Sequence, residues 1–591
     1  MAVAEPLALL QVAAVIGVEF DVDVVARVLG RSVGSLLTDI EEARADGTLV
    51  EEGTRLRFAD ARFRDHLYEG LAQPVRQALH RDVAREYLRP GSEPEAAWHL
   101  TRSTGRLTEV ELRVIRHAIT RLGQVAPEEA AELALQVSAH FRTRDPHHME
   151  FITTAAKHLG NTRRVGEALA LVEQRYSIGL SVREEGQLRL VAAHLHQAAG
   201  DDTEAMSHLS RALGLPGLDE ELRLLLMKTK TVGHVNLGEI DDAIRLSELL
   251  AESVRRSTDP AVKLSADLFF SQLAFSQARV TKALELAEKS ARSLEVSAAR
   301  PLPAPRIPEL WLATVLLSTD RSNEASELLL EGQRNAERRG FAWSMPYWHT
   351  VRAIERYIHD ELDDAVAEAE TALHAADTLD VLRYVPLTRS VLAIVEAHRG
   401  HVPRACELVR DAELPARPRT YDMWTAAAWM RLGGQWQERA GSWLGQHANR
   451  ARIMSLPPRV WPDLVRAGEG SQAVRALLDQ IGQVAADQQV VARAIAAART
   501  AGARPAVPGR SRHRPSAGWE SLTAAELRVA ELVVAGQTNR SIAAQLHVSI
   551  HTVGTHLRHV FTKLDINTRV ELTRLTLQHG LTTRTGGYSS R

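Results

Sequence analysis

Residues 549–564 read Ser-Ile-His-Thr-Val-Gly-Thr-His-Leu-Arg-His-Val-Phe-Thr-Lys-Leu, a stretch with cationic side chains and no acid. Val553, Val560 and Leu564 fall on one side of a helix, so Gly554, Thr555, Arg558, His559 and Thr562 fall on the other. No catalytic constellation of Ser, His and Asp stands out here, and no carboxylates are paired. The chemistry on offer is recognition by hydrogen-bond donors on a rigid rod. Arg558 is suited to a bidentate contact with guanine O6 and N7. Arg540, Lys563 and helix N-terminal amides suit phosphates, which fix register without reading sequence. Ser549, able to cap the helix, and Thr552 in its first turn complete the candidate contacts.

The elements that must position this helix are marked by their own end signals. Thr523 with Glu526 forms a capping box that opens a helix carrying Leu527, Ala530, Leu532 and Val533, and Gly536 supplies a left-handed stop. Asn539 is placed to cap a short second helix with Ile542, Ala543 and Leu546. The His547-Val548 turn joins it to the helix starting near Ser549, a helix-turn-helix whose second helix enters the DNA major groove. Thr568 with Glu571 opens a fourth helix with Leu572, Leu575 and Leu577.

The ordered string Trp519, Leu522-Thr523, Glu526, Gly536, Asn539, Ile542-Ala543, Leu546, Ser549, Thr552-Val553, His556, Val560, Lys563-Leu564, Arg569, Leu572 closely resembles the LuxR-type DNA-binding domain over about 60 residues. The resemblance implies that the helix from Ser549 is the recognition helix and that the fourth helix helps two copies associate on DNA; its apolar Leu572 and Leu575, one turn apart, are the candidate contact. Two positions depart from the family pattern. Gly554 stands where a basic residue often follows the Thr-Val pair, and Ala525 stands where Arg usually precedes the helix-1 Glu.

Charge divides along the chain in the same sense. The 591 residues carry a net −2, yet from residue 501 onward twelve Lys and Arg face five Asp and Glu. The tail is therefore +7 and the first 500 residues −9, a polyanion-binding end on an acidic body. Composition, 45% hydrophobic and 25% charged, is that of a globular protein and excludes disordered and collagen-like classes. A single cysteine, Cys406, excludes an internal disulfide framework and Cys-based zinc fingers. Leu7 to Ile16 is too short to span a bilayer and follows Glu5 rather than a basic region, so a soluble cytoplasmic protein without membrane partners is expected.

Alanines at 168, 205, 243, 283, 325, 365 and 405 each sit early in a helical stretch, at spacings of 37 to 42 residues, with weaker copies at Ala440 and Ala473. Each period holds two amphipathic helices that cannot bury their stripes alone, so neighbouring pairs must stack as an α-solenoid. The pattern resembles degenerate tetratricopeptide repeats, with a period longer than the usual 34 residues. Such a surface binds a protein or a small-molecule effector, or else serves as a spacer. His147–His148 and His194/His196 lack supporting carboxylates at ligand spacing, and no metal, cofactor or catalytic residue is assigned.

Residues 7–90 hold two helices, a third from Ser32 to Ala45, and two strand-like runs around Gly53, a winged-helix pattern. Asp46, Glu51, Glu52 and Asp60 flank the strands, which favours a structural role over a second DNA-binding one. The order of modules resembles the downstream part of the large ATP-binding, MalT-like LuxR regulators. None of the seven lysines follows a glycine as a phosphate loop demands, so the chain is expected to be a fragment, a mis-started product or a regulator without that switch.

The expected architecture is mainly α: a winged-helix-like module over 1–90, an α-solenoid over 91–500, a linker over 501–518, a four-helix LuxR-type domain over 519–582 and a tail over 583–591. The function expected is sequence-specific binding of double-stranded DNA by a homodimeric, non-enzymatic transcriptional regulator. The alternatives are a repeat scaffold acting by protein binding, and a fragment of an ATP-dependent regulator.

Overall fold

The computed structural model describes residues 5–447, 456–460 and 518–578, apart from 89–90, 104, 124–125, 163, 177–178, 257–259, 278, 297–306, 320, 339–340, 416–418, 420, 523 and 547–549. Residues 501–517 of the expected linker at 501–518, the tail at 583–591 and the weak repeat at Ala473 lie outside the described residues. The chain divides into two compact units, residues 1–159 with 174–179, and residues 160–173 with 180–591.

The first unit opens with α1 (Glu5–Ile16), β1 (Glu19–Phe20), α2 (Val22–Val28), α3 (Val33–Ala45), β2 (Leu49–Glu52), β3 (Arg55–Phe58), α4 (Ala61–Gly70) and α5 (Gln73–Glu86). The three strands pair antiparallel in the order β1-β3-β2, with Leu49 opposite Phe58 and Glu19 opposite Arg57. Gly53, at φ 61°, makes the β2–β3 turn in a conformation that costs glycine nothing. The helices and the β2–β3 hairpin fall where the sequence pattern places them, with β1 as an additional strand. β1 is two residues long and has no period to read.

The flanking acids are structural. Ser32 and Asp60 cap α3 and α4, Asp46 accepts from the Thr48 amide at 2.9 Å, and Glu51 pairs with Arg44 at 2.7 Å. Phe20 and Phe58, both buried, pack at 5.7 Å between ring centres, beside Leu36 and Leu49. Four further helices complete the unit: Glu93–Leu100, Glu109–Leu122, Pro127–Ser138 and Pro146–Leu159.

The second unit is a stack of helix pairs followed by the C-terminal module. Ala168, Ala205, Ala243, Ala283, Ala325, Ala365 and Ala405 are each 0% exposed. Each is the fourth residue of its helix, in Val165–Glu173, Asp202–Leu213, Ile240–Arg256, Val280–Val296, Ser322–Arg338, Leu362–Leu379 and Val402–Leu408. The repeat therefore marks the point where the second helix of each pair approaches its neighbours too closely for a larger side chain. Ala440 is also fully buried but is the seventh residue of Gly434–His447, so the last described pair departs from the register.

Hydrogen bonds between buried hydroxyls link successive pairs, Thr350 to Thr388 at 2.7 Å and Ser390 to Thr425 at 2.8 Å. The stack also returns on itself. Arg383 donates to Gln197 O at 2.6 Å and to Asp202 at 3.1 Å, joining residues more than 180 positions apart.

Candidate nucleic-acid interface

The C-terminal module comprises a 3₁₀ turn at Trp519–Ser521 and helices Ala524–Val534, Asn539–Leu546, Ile550–Leu564 and Arg569–Gln578. Leu522, Val529, Ala530, Val533, Ile542, Ala543, Val553, Leu557, Val560 and Leu572 form its core. Gly536, at φ 78°, stops the first helix, and the Gln537 amide reaches back to Leu532 O at 3.1 Å as a left-handed cap requires.

The second helix is capped by Thr538, whose hydroxyl accepts from the Ser541 amide at 3.2 Å. Asn539, read from the sequence as the cap, is instead the first helical residue, and its side-chain oxygen accepts from Arg569. Arg569 also donates to Gln537 O at 2.6 Å, so one guanidinium ties the first turn to the fourth helix. The fourth helix has its capping box: the Glu571 amide donates to Thr568 Oγ1 and the Thr568 amide to Glu571, each at 3.2 Å. The amides of Asn567 and Thr568 hold the Glu571 carboxyl below its ordinary pKa.

Helix Ile550–Leu564, the expected recognition helix, buries Val553, His556, Leu557 and Val560 and exposes Arg558 and Thr562. Gly554 and His559 are intermediate, and a Cβ added at Gly554 would meet nothing within 4 Å. Thr552 and Thr555 lie in this helix, and Arg540 lies in the preceding one. Ser549 and the His547-Val548 turn lie outside the described residues, as does Thr523 of the first capping box.

Lys563 is held within its own module. Its Nζ lies 2.7 Å from Oε2 of Glu526, a residue with almost no exposed surface, and His559 Nδ1 approaches the other oxygen at 3.7 Å. Glu526 is thus a buried carboxylate neutralised by the recognition helix, a role its capping-box spacing did not reveal. Leu572, expected at a contact between copies, is fully buried in the module's own core. Leu575 on the same helix is half-buried, and Val570 is 80% exposed.

The histidines singled out from the sequence serve local structure. His148 bonds Ser138 O at 3.0 Å, and His194 approaches Thr229 Oγ1 at 3.2 Å. Sequence spacing missed another trio, His234, Glu239 and Asp242, whose ligand atoms lie within 4.8 Å of one another across a helix–helix turn. Glu239 is bonded to His234 and Asp242 to Arg245. Among the described residues no helix is long and apolar enough to cross a membrane.

Residues 520–576 match the model for the luxR family of bacterial regulatory proteins. Over 61 residues the chain is 51% identical to a Mycobacterium bovis protein whose name places it among HTH-type transcriptional regulators, covering 10% of this chain and 7% of that one. It is 35% identical over 111 residues to the response regulator Rre1 of Synechocystis, covering 19% and 38% respectively. The matched segment thus spans less than a tenth of the mycobacterial relative. Among solved structures, the Pyrococcus horikoshii signal-transduction ATPase with a tetratricopeptide repeat sensor aligns over 81% of this chain and 65% of that one, with 13% identity and a TM-score of 0.34.

Proposed function

We propose that this protein is a sequence-specific, DNA-binding transcriptional regulator whose solenoid receives a protein or small-molecule signal. The observation that carries the reading is the recognition helix. It buries Val553, Leu557 and Val560 in a luxR-type module while turning Arg558 and Thr562 to solvent on the opposite face. A helix of this kind fits the major groove, where Arg558 reads guanine and His559, Thr555, Thr552 and Gly554 line adjacent steps. Arg540, Ser549 and Thr562 take the flanking phosphates and sugar edges, and Lys563 does so only on leaving Glu526. The protein acts by binding rather than by catalysis, in the cytoplasm.

One recognition helix reads only a few base pairs, so selectivity over a genome calls for two copies related by a two-fold axis. With Leu572 in the core, the outward residues of the last helix, Val570 and Leu575, are the contact. Selection of bound duplexes from random DNA by the full chain tests the reading. A palindromic consensus supports it, and recovery of unselected sequence contradicts it.

A further inference from the structure

One flank of the recognition helix, carrying His556 and His559, faces the protein's own solenoid, while Arg558 and Thr562 stay exposed. His559 Nε2 lies 3.2 Å from Glu370 Oε2 in helix Leu362–Leu379, while its Nδ1 faces Glu526. Glu370 is fixed from the solenoid side by an ion pair with Arg404. His559 therefore sits between two carboxylates, one from each body.

The neighbours of His559 are drawn in as well. His556, one turn earlier, is 6% exposed, and its Nδ1 finds no hydrogen-bond partner among the described residues. Burial pushes its pKa down to about 4, against opposing fields from solenoid Glu368 and from Glu526. The charges of Arg558 and His559 reach His374 on the same solenoid helix and, after burial, depress its pKa further. The two helices are also complementary in charge. Leu362–Leu379 carries Asp363, Asp364, Glu368, Glu370 and Asp377 with no Lys or Arg, whereas Ile550–Leu564 carries Arg558 and Lys563 with no acid.

We infer that the acidic surface around Glu370 is a docking site for the protein's own recognition helix, presenting a carboxylate to His559 where DNA would present a groove edge. The second half of this statement rests on the DNA-binding reading. A major groove about 12 Å wide admits a helix only when no second helix is packed along its side. Docking and DNA binding are then mutually exclusive, and the apparent affinity for DNA falls by the fraction of molecules undocked.

The test uses the full chain, wild type and Glu370→Arg, with a fluorescent duplex pool of random sequence. The variant is expected to bind several-fold to about tenfold more tightly, because it releases the docked fraction. Hydrogen exchange is measured in parallel on peptides covering 362–379 and 550–564, and is expected to quicken in both. Glu370→Gln, which places no like charge beside Arg404, should shift both readouts in the same direction and carries the test if Glu370→Arg fails to fold. Unchanged affinity and exchange in a folded variant would overturn the docking. Faster exchange with no DNA binding by either protein would uphold the docking and overturn the DNA-binding reading.

Discussion

Arg383 and Asp202 form an ion pair at 3.1 Å although 180 residues separate them in the chain, and both side chains are largely buried. The Asp202 carboxylate also accepts from Asn236 at 3.0 Å, and the Gly200 backbone approaches Arg383 so closely that an added Cβ would lie 3.2 Å from its Cα. The pair closes one turn of helical repeats onto the next. Arg383→Met leaves a buried carboxylate without its cation and should cost about 3–5 kcal/mol in denaturant unfolding. The double variant Arg383→Met/Asp202→Leu should recover much of that loss. Equal destabilisation by the single and double variants would show that packing, not charge, closes the turn.

Trp348 is fully buried, and its ring lies where a side chain on Gly332 would be, 2.4 Å from an added Cβ. Gly332→Ala gains up to about 1 kcal/mol of helix propensity. Overpacking against a ring that has no room to move costs about 1–3 kcal/mol, so the net change in melting should be a loss. Gly554→Ala, where nothing lies within 4 Å, should be stabilising and provides the internal contrast.

His80 and His99 share a hydrogen bond between their Nδ1 atoms at 2.9 Å, and Tyr68 Oη lies 2.9 Å from His80 Nε2. Burial first, then Arg102 and Arg64 beside His80 and His80 itself beside His99, lowers the two pKa values to about 4 and about 3. The unfolded chain takes up protons below its ordinary 6.5 while the folded chain does not. Stability contributed by these groups is therefore full above pH 6.5 and lost as pH falls toward 4, at up to about 1.4 kcal/mol per pH unit per histidine. A melting temperature independent of pH across this window would contradict the assignment.

Gly554 leaves an open position on the exposed side of the recognition helix, where the resembling family often has a basic residue. Gly554→Lys should tighten DNA binding and steepen its salt dependence by about one phosphate contact. A gain with no change in the salt slope would assign the effect to helix propensity alone.

Much of this architecture was legible because its determinants are local. The alanines spaced 37 to 42 apart each proved to be the fourth residue of a helix, and the Thr568–Glu571 box and Gly536 stop act within one turn. What the sequence hid depends on partners far away. Arg569 reaches Gln537 and Asn539, Glu526 meets Lys563, and Arg383 meets Asp202, at separations no periodicity encodes. Leu572 and Leu575 both read as apolar positions of one short helix, and packing alone divides them into core and flank. Nothing in the composition of residues 362–379 announced that their acids would face the recognition helix.

In the proposed complex Arg558 reads a base. The direct measurement is the affinity of the full chain for its selected duplex and for single-base variants of it, wild type against Arg558→Ala, at fixed near-physiological salt. Arg558→Ala is expected to lose about 1–3 kcal/mol on the selected site and to relax preference at one base position, with binding to random DNA little changed. An equal loss on selected and random duplexes would make Arg558 a phosphate contact and contradict the claim.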